Sequence, residues 1–171
     1  MREVPLSEQP VSFGEHLASS PLFAALFRDG MALVEETAAY LDGPGRQQSK
    51  DLGRGPALAY ATESMRLTSR LMQLASWLLL HRAVKEGEMS LAQANIEKAK
   101  VKLSPIDTTD PNNIALLPAE LRELIERSRV LQSKVRRLDT TIHAPPVAPQ
   151  GHESPVERQL GLLKAAFGAD S

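Results

Sequence analysis

Residues Ala57 to Glu86 read ALAYATESMRLTSRLMQLASWLLLHRAVKE. The stretch holds no proline and no glycine, and Gly55-Pro56 and Gly87 bracket it. At 1.5 Å per residue an α-helix of this length is about 45 Å long. Leu58, Ala61, Met65, Thr68, Met72, Ala75 and Leu79 fall on alternating three- and four-residue steps. Leu67, Leu71, Leu74 and Leu78 form a second stripe beside them. At 3.6 residues per turn the two stripes cover roughly 200° of the circumference. A helix packed on one neighbour needs a stripe little wider than ~100°. This helix is therefore expected to touch at least two others, as the central member of a bundle.

The flanking chain carries matching stripes. Ser20-Pro21 is a helix start, with serine as N-cap and proline at the first helical position. Phe23, Phe27, Gly30, Val34, Thr37 and Leu41 then share one face, with Leu22, Leu26, Leu33 and Tyr40 alongside. Gly30 costs about 1 kcal/mol against alanine inside a helix, so its expected purpose is close helix approach. Asp42-Gly43-Pro44-Gly45 stops the helix, and residues 43–56 read as a polar linker. Ser90-Leu91-Ala92-Gln93 matches a capping box, opening a short accessory helix over roughly Leu91 to Val101. SPIDTTDPNN (104–113) reads as a loop. From Pro118 to about Thr141, Leu117, Leu121, Leu124, Ser128, Leu131, Val135, Leu138 and Ile142 keep an unbroken heptad spacing.

Residues 1–11 read as a flexible N-terminus, residues 12–142 as the bundle domain and residues 143–171 as a tail. The proline-rich run APPVAPQGHESP (144–155) cannot be core. Beyond it Val156, Leu160, Leu163 and Phe167 share one face of a possible short helix, which is marginal in isolation. The fold expected is all-α: an antiparallel three-helix bundle, a short accessory helix and a mostly disordered tail.

Composition narrows the function. The 171 residues are 42% hydrophobic but only 4% aromatic, a Leu/Ala/Met/Val core that suits helices over sheets. A net charge of −1, from 20 basic and 21 acidic residues, lacks the basic excess of most nucleic-acid binders. Arg127, Arg129, Lys134, Arg136 and Arg137 form the one basic cluster; at helical spacing it reads first as a solvated flank. Cysteine is absent, which excludes thiolate chemistry and disulfides and fits a reducing compartment. MREVPLSEQP has no apolar h-region, and the run Trp77 to Leu80 is too short to span a bilayer. A cytoplasmic protein is expected.

No catalytic constellation stands out. His16, His81, His143 and His152 are scattered, and no Glu-x-x-His pair marks a di-metal bundle. GPGRQQSK lacks the spacing of a phosphate loop. No metal or cofactor is expected. Function is sought instead on the central helix. With Met65 placed at the middle of the buried side, Arg66, Arg70, Gln73, Trp77, Leu80 and His81 project from the other side in one strip. It holds the one tryptophan of the chain, and Trp and Arg are enriched in binding hot spots. Three readings of the strip stand: cover by the 90–101 segment or by a second copy, a different protein bound there, or a small-molecule pocket. The exposed-strip reading predicts that Trp77→Ala leaves melting nearly unchanged.

FRDGMALVEETAAYLDGPGR (Phe27 to Arg46) and LAYATESMRLTSRLMQLASWLLLHRAVKEGEMS (Leu58 to Ser90) resemble the alphaproteobacterial regulator-of-CtrA-degradation family, RcdA. The resemblance covers roughly residues 12–142. It implies a homodimeric three-helix bundle with a disordered tail, serving as an adaptor without catalytic activity. It also implies partners: the ClpXP protease primed by a CpdR-type adaptor, a PopA-type adaptor that binds cyclic-di-GMP, and CtrA or other cargo, with possible recruitment to the cell pole. No residue-level binding map comes with it. The tail face of Val156, Leu160, Leu163 and Phe167 has the pattern of a tethered helix-in-groove ligand. Two other classes stay open: an all-α enzyme or ligand-binding bundle with a polar cavity near Arg66, Glu63 or Glu36, and a DNA-associated regulator using the Arg127 to Arg137 cluster.

Overall fold

The computed structural model describes residues 20–101 and 110–142. Six helices follow one another: α1 (Pro21–Asp42), α2 (Pro44–Lys50), α3 (Arg54–Lys85), α4 (Leu91–Lys100), α5 (Pro111–Ala115) and α6 (Ala119–Ile142). The expected flexible N-terminus and the tail with its Val156 to Phe167 face lie outside the described residues.

The local signals act at the ends where they were read. Ser20 caps α1 by accepting from the Phe23 amide, with Pro21 in the first turn. Ser90 caps α4 by accepting from the Gln93 amide. Each such cap contributes about 1 kcal/mol by satisfying an orphan amide. Gly87 sits at φ +75° past the end of α3. Its amide donates to Val84 O, and the Glu88 amide reaches back to Ala83 O. That left-handed residue and its paired bonds make a Schellman stop.

Part of the polar stretch expected as a linker is helical. Pro44 starts α2 directly after α1 ends. Gln48 then accepts from the Tyr40 hydroxyl at 2.8 Å and donates to Glu120 at 3.3 Å. These two bonds tie the polar segment to α1 and α6, which hydropathy alone does not register. Likewise Asp110 caps a single turn, α5, within the stretch read as loop.

α1, α3 and α6 build the core. Phe23, Leu26, Leu33 and Tyr40 of α1 are buried, as is every member of the Leu117 to Ile142 heptad on and beside α6. Gly30 lets α1 and α3 approach: a Cβ there would lie 2.6 Å from Leu78 Cδ1. α1 runs antiparallel to α6, since Glu36 pairs with Arg127 while Leu22 and Thr141 line one crevice. α1 is also antiparallel to α3, with Phe23 beside Trp77 and Tyr40 near Tyr60. α3 and α6 therefore run parallel, as the pairs Arg70–Ser128 and Trp77–Asp139 require. A parallel pair needs a return leg. The α4–α5 segment fills that role, with Ala94 of α4 fully buried.

Candidate functional site

The rotation of α3 about its own axis decides which residues can meet a partner. Its buried positions are Ala59, Glu63, Leu67, Arg70, Leu71, Leu74, Trp77, Leu78 and His81. At ~100° per residue the centre of this arc lies nearly half a turn from Met65. Leu67, Leu71, Leu74 and Leu78 are core, as expected. The companion stripe is not: Leu58 is 70% exposed, Met65 72%, Met72 67% and Leu79 53%.

The strip assigned to the outer side is corrected accordingly. Trp77, His81 and Arg70 are buried, at 1%, 0% and 6% exposure. Arg66 stays exposed, while Gln73 and Leu80 are half-buried on the flank. The physical reason lies on α6. The Trp77 indole N–H donates to Asp139 Oδ1 at 2.8 Å, and Lys98 of α4 reaches the other oxygen of that carboxylate at 2.7 Å. The indole stacks on His81 at 4.0 Å between ring centroids and packs against Phe23 at 6.2 Å. His81 Nδ1 bonds the Trp77 carbonyl at 2.9 Å. Arg70 donates to Ser128 Oγ at 2.9 Å, and that hydroxyl donates to Ile125 O. Buried polar groups are tolerated when so paired, and here the pairing turns the tryptophan face inward. The indole is covered from within the chain by Phe23 of α1 and Asp139 of α6, and the 90–101 segment reaches it only through Lys98 on that same carboxylate.

The acidic residues named for a polar cavity are engaged elsewhere. Glu63 is buried and paired with Arg66 at 2.9 Å. Glu36 pairs with Arg127 at 2.7 Å on the surface. The Arg127 hydrogen bond holds the Glu36 carboxyl below its ordinary value, partly opposed by desolvation. Among the described residues no group of three or more His, Asp or Glu is placed to hold a metal ion.

Beside exposed charges such as Arg66 and Arg82, α3 offers to solvent a stripe with period seven: Leu58, Met65, Met72 and Leu79, with Ala61, Thr68 and the half-buried Ala75 between them. It extends about 32 Å along the helix. The remaining residues within about 60° of Met65 from Leu58 to Ala83 are Thr62, Ser69, Ser76, Leu80 and Ala83, with Ala75 just outside at about 80°, so this sector carries no charge. A solvated helix face normally carries charged or polar residues opposite the core, so this uncharged stripe is the candidate contact surface of α3. Large and small side chains alternate along it, the relief that lets one helix seat on another. Sequence reasoning found these residues but put them in the core. The signal that distinguishes them is chemical: the inward face pairs large Leu and Trp with polar groups that find partners, while the outward face sets two leucines and two methionines among Ala, Thr and Ser.

A family model described as "Protein of unknown function (DUF1465)" matches residues 14–167. A solved structure, RcdA from Caulobacter crescentus CB15, is similar at 49% sequence identity with a TM-score of 0.63, over 77% of this chain and 98% of that one. No curated protein matches. Among the described residues no helix is long and apolar enough to cross a membrane. A family match over most of the length, and half-identity to a solved bundle across nearly all of that chain, place this chain in the DUF1465 family, that of RcdA, the regulator of CtrA degradation.

Proposed function

We propose that the protein is a non-catalytic adaptor in regulated proteolysis, linking a primed ClpXP-type protease to cargo such as a CtrA-type cell-cycle regulator. A CpdR-type adaptor primes the protease in this reading, and a PopA-type adaptor is a further partner. The observation that carries the proposal is the uncharged Leu58/Met65/Met72/Leu79 stripe on α3. An adaptor works by raising the effective concentration of cargo at the protease, so it needs a protein-binding face and no chemistry of its own. Methionine-rich apolar faces adapt to more than one partner. Lacking charge, the stripe is also compatible with a second copy of itself, since no like charges meet across a two-fold axis. At rest it pairs two copies as a homodimer; when the pair opens, the same face receives cargo. Family membership with RcdA supports the reading.

The test is an in vitro degradation assay with purified protease, priming adaptor and a CtrA-type cargo, alongside sedimentation of the adaptor. The double variant Met65→Glu/Met72→Glu changes exposed side chains only. It should sediment as a monomer, keep its melting profile and deliver cargo about tenfold more slowly, as loss of an interface anchor does. Full delivery by a monomeric variant would remove the stripe from the cargo path. Failure of the natural chain to stimulate degradation would remove the adaptor reading itself.

A further inference from the structure

A second surface lies on the far side of the bundle. Two adjoining cavities, of about 320 and 370 Å³, run along the crevice between α1 and α6 and share Leu26, Asp29 and Lys134. No residue of α3 lines either one, so the crevice opens away from the α3 stripe. Its apolar surface comes from Leu22, Leu26 and Leu33 on one wall and Val130 and Leu138 on the other, and Asp29, Glu126, Arg127, Lys134 and Arg137 line it with charge of both signs. Leu22 is 64% and Val130 47% exposed. The groove ends at Thr141, one residue before α6 itself ends.

We infer that residues 154–167 of this same chain form an amphipathic helix that occupies the α1–α6 groove. Four observations converge on that occupant. The chain leaves α6 at the mouth of the groove. The thirteen residues 143–155 reach about 40 Å at ~3.1 Å per residue, ample to place a helix anywhere along the crevice. Val156, Leu160, Leu163 and Phe167 follow the i, i+4, i+7, i+11 spacing of a helix-in-groove ligand. They span about 17 Å, the same length as Leu22 to Leu33 on the α1 wall. The family model, finally, extends to residue 167, the last member of that face.

Tethering makes the docking effective. A segment of this length is marginal as an isolated helix, but a short linker presents it at millimolar effective concentration. The inference is independent of the adaptor reading, because the α3 stripe lies on another side of the bundle.

The absence of cysteine makes the test direct in the full chain. Lys134→Cys is combined with Lys164→Cys, and closure by a short bis-maleimide is timed. An Ala92→Cys/Lys164→Cys chain, with its first thiol exposed on α4, is the control. Intramolecular closure at the groove should be at least about tenfold faster than in the control, and Leu160→Asp/Leu163→Asp should bring it down to the control rate. Equal rates in the two pairs would overturn the inference. So would closure that ignores the aspartates, or cross-links running mainly between chains, which would put a second copy in the groove. In a separate Ala25→Cys chain the thiol should become more reactive when the two aspartates are introduced. Unchanged protection would assign the cover to the residues preceding Ser20 and overturn the inference as well.

Discussion

Replacing Trp77 with alanine should cost about 4 kcal/mol of folding stability, within the range for deleting a fully buried large aromatic. The side chain is 1% exposed and sits among Phe23, His81 and α6. Its loss removes the stack on His81, the contact with Phe23 and the hydrogen bond to Asp139. That carboxylate keeps Lys98 at 2.7 Å, so it is not left without a partner and adds little beyond the cavity term. Trp77→Phe separates the two contributions. It retains most of the packing and loses only the indole donor, for an expected cost of about 1–2 kcal/mol. In melting temperature the alanine variant should fall by about 8–16 °C. Urea unfolding followed by far-ultraviolet circular dichroism measures both variants on the same signal. In the natural chain, the sole tryptophan should also be strongly shielded from acrylamide quenching of its fluorescence. Met65→Ala, about a third of a turn round the helix and exposed, should stay within about 0.5 kcal/mol of the natural chain. A loss below about 1 kcal/mol for Trp77→Ala, or free quenching of the indole, would refute the inward orientation of this face and return the tryptophan strip to the surface.

Two further outcomes follow from particular contacts. Gly30→Ala should destabilise the bundle, because its Cβ would lie 2.6 Å from Leu78 Cδ1, a side chain with no exposure. Overpacking of about 1–3 kcal/mol exceeds the gain of about 1 kcal/mol in helix propensity. Leu78→Ala should then cost less in the Gly30→Ala background than in the natural chain; strictly additive losses in denaturant melts would dismiss the contact. Tyr40 is pushed up to about 12 by burial, with Tyr60 and Glu120 adding repulsion, and burial also raises Tyr60 against a bond to Ser64 that lowers it. In both, the folded state disfavours the phenolate. Their contribution to stability is complete below the unfolded value near pH 10 and is lost as pH climbs through the raised folded values. Ultraviolet difference titration of the folded chain should show neither of the two tyrosines ionising at the ordinary value; one full tyrosine titrating there would refute the burial argument.

Helix existence and most helix ends were legible in the chain because they are local. Ser20 and Ser90 each satisfy an amide three residues away, and Gly87 turns left-handed immediately after α3. The α6 heptad was legible because one face alone of that helix is apolar, so its rotation admits a single solution. The purpose of Gly30 could be read for the same reason: a costly residue inside a stripe implies a close neighbour. α2 was not legible, since Tyr40 and Glu120 hold its Gln48 from outside the segment.

The candidate site marks where sequence stops deciding. Ala57 to Glu86 carries two apolar faces, and periodicity fixes the angle between them without saying which one turns inward. Counting hydrophobic residues favours Met65 and Met72 as core and leaves Arg70, Trp77 and His81 outside. The tertiary structure reverses this because Ser128 and Asp139, on a helix some fifty to sixty residues away in the chain, take the Arg70 and Trp77 donors. Burying a polar group costs little once its partner is in place, and that partner is invisible to any local window. By itself the sequence determined that this chain is three long helices around a leucine core, in a family with RcdA. Only the packing of α3 against α6 decided that the methionine stripe, and not the tryptophan strip, is the face left to solvent.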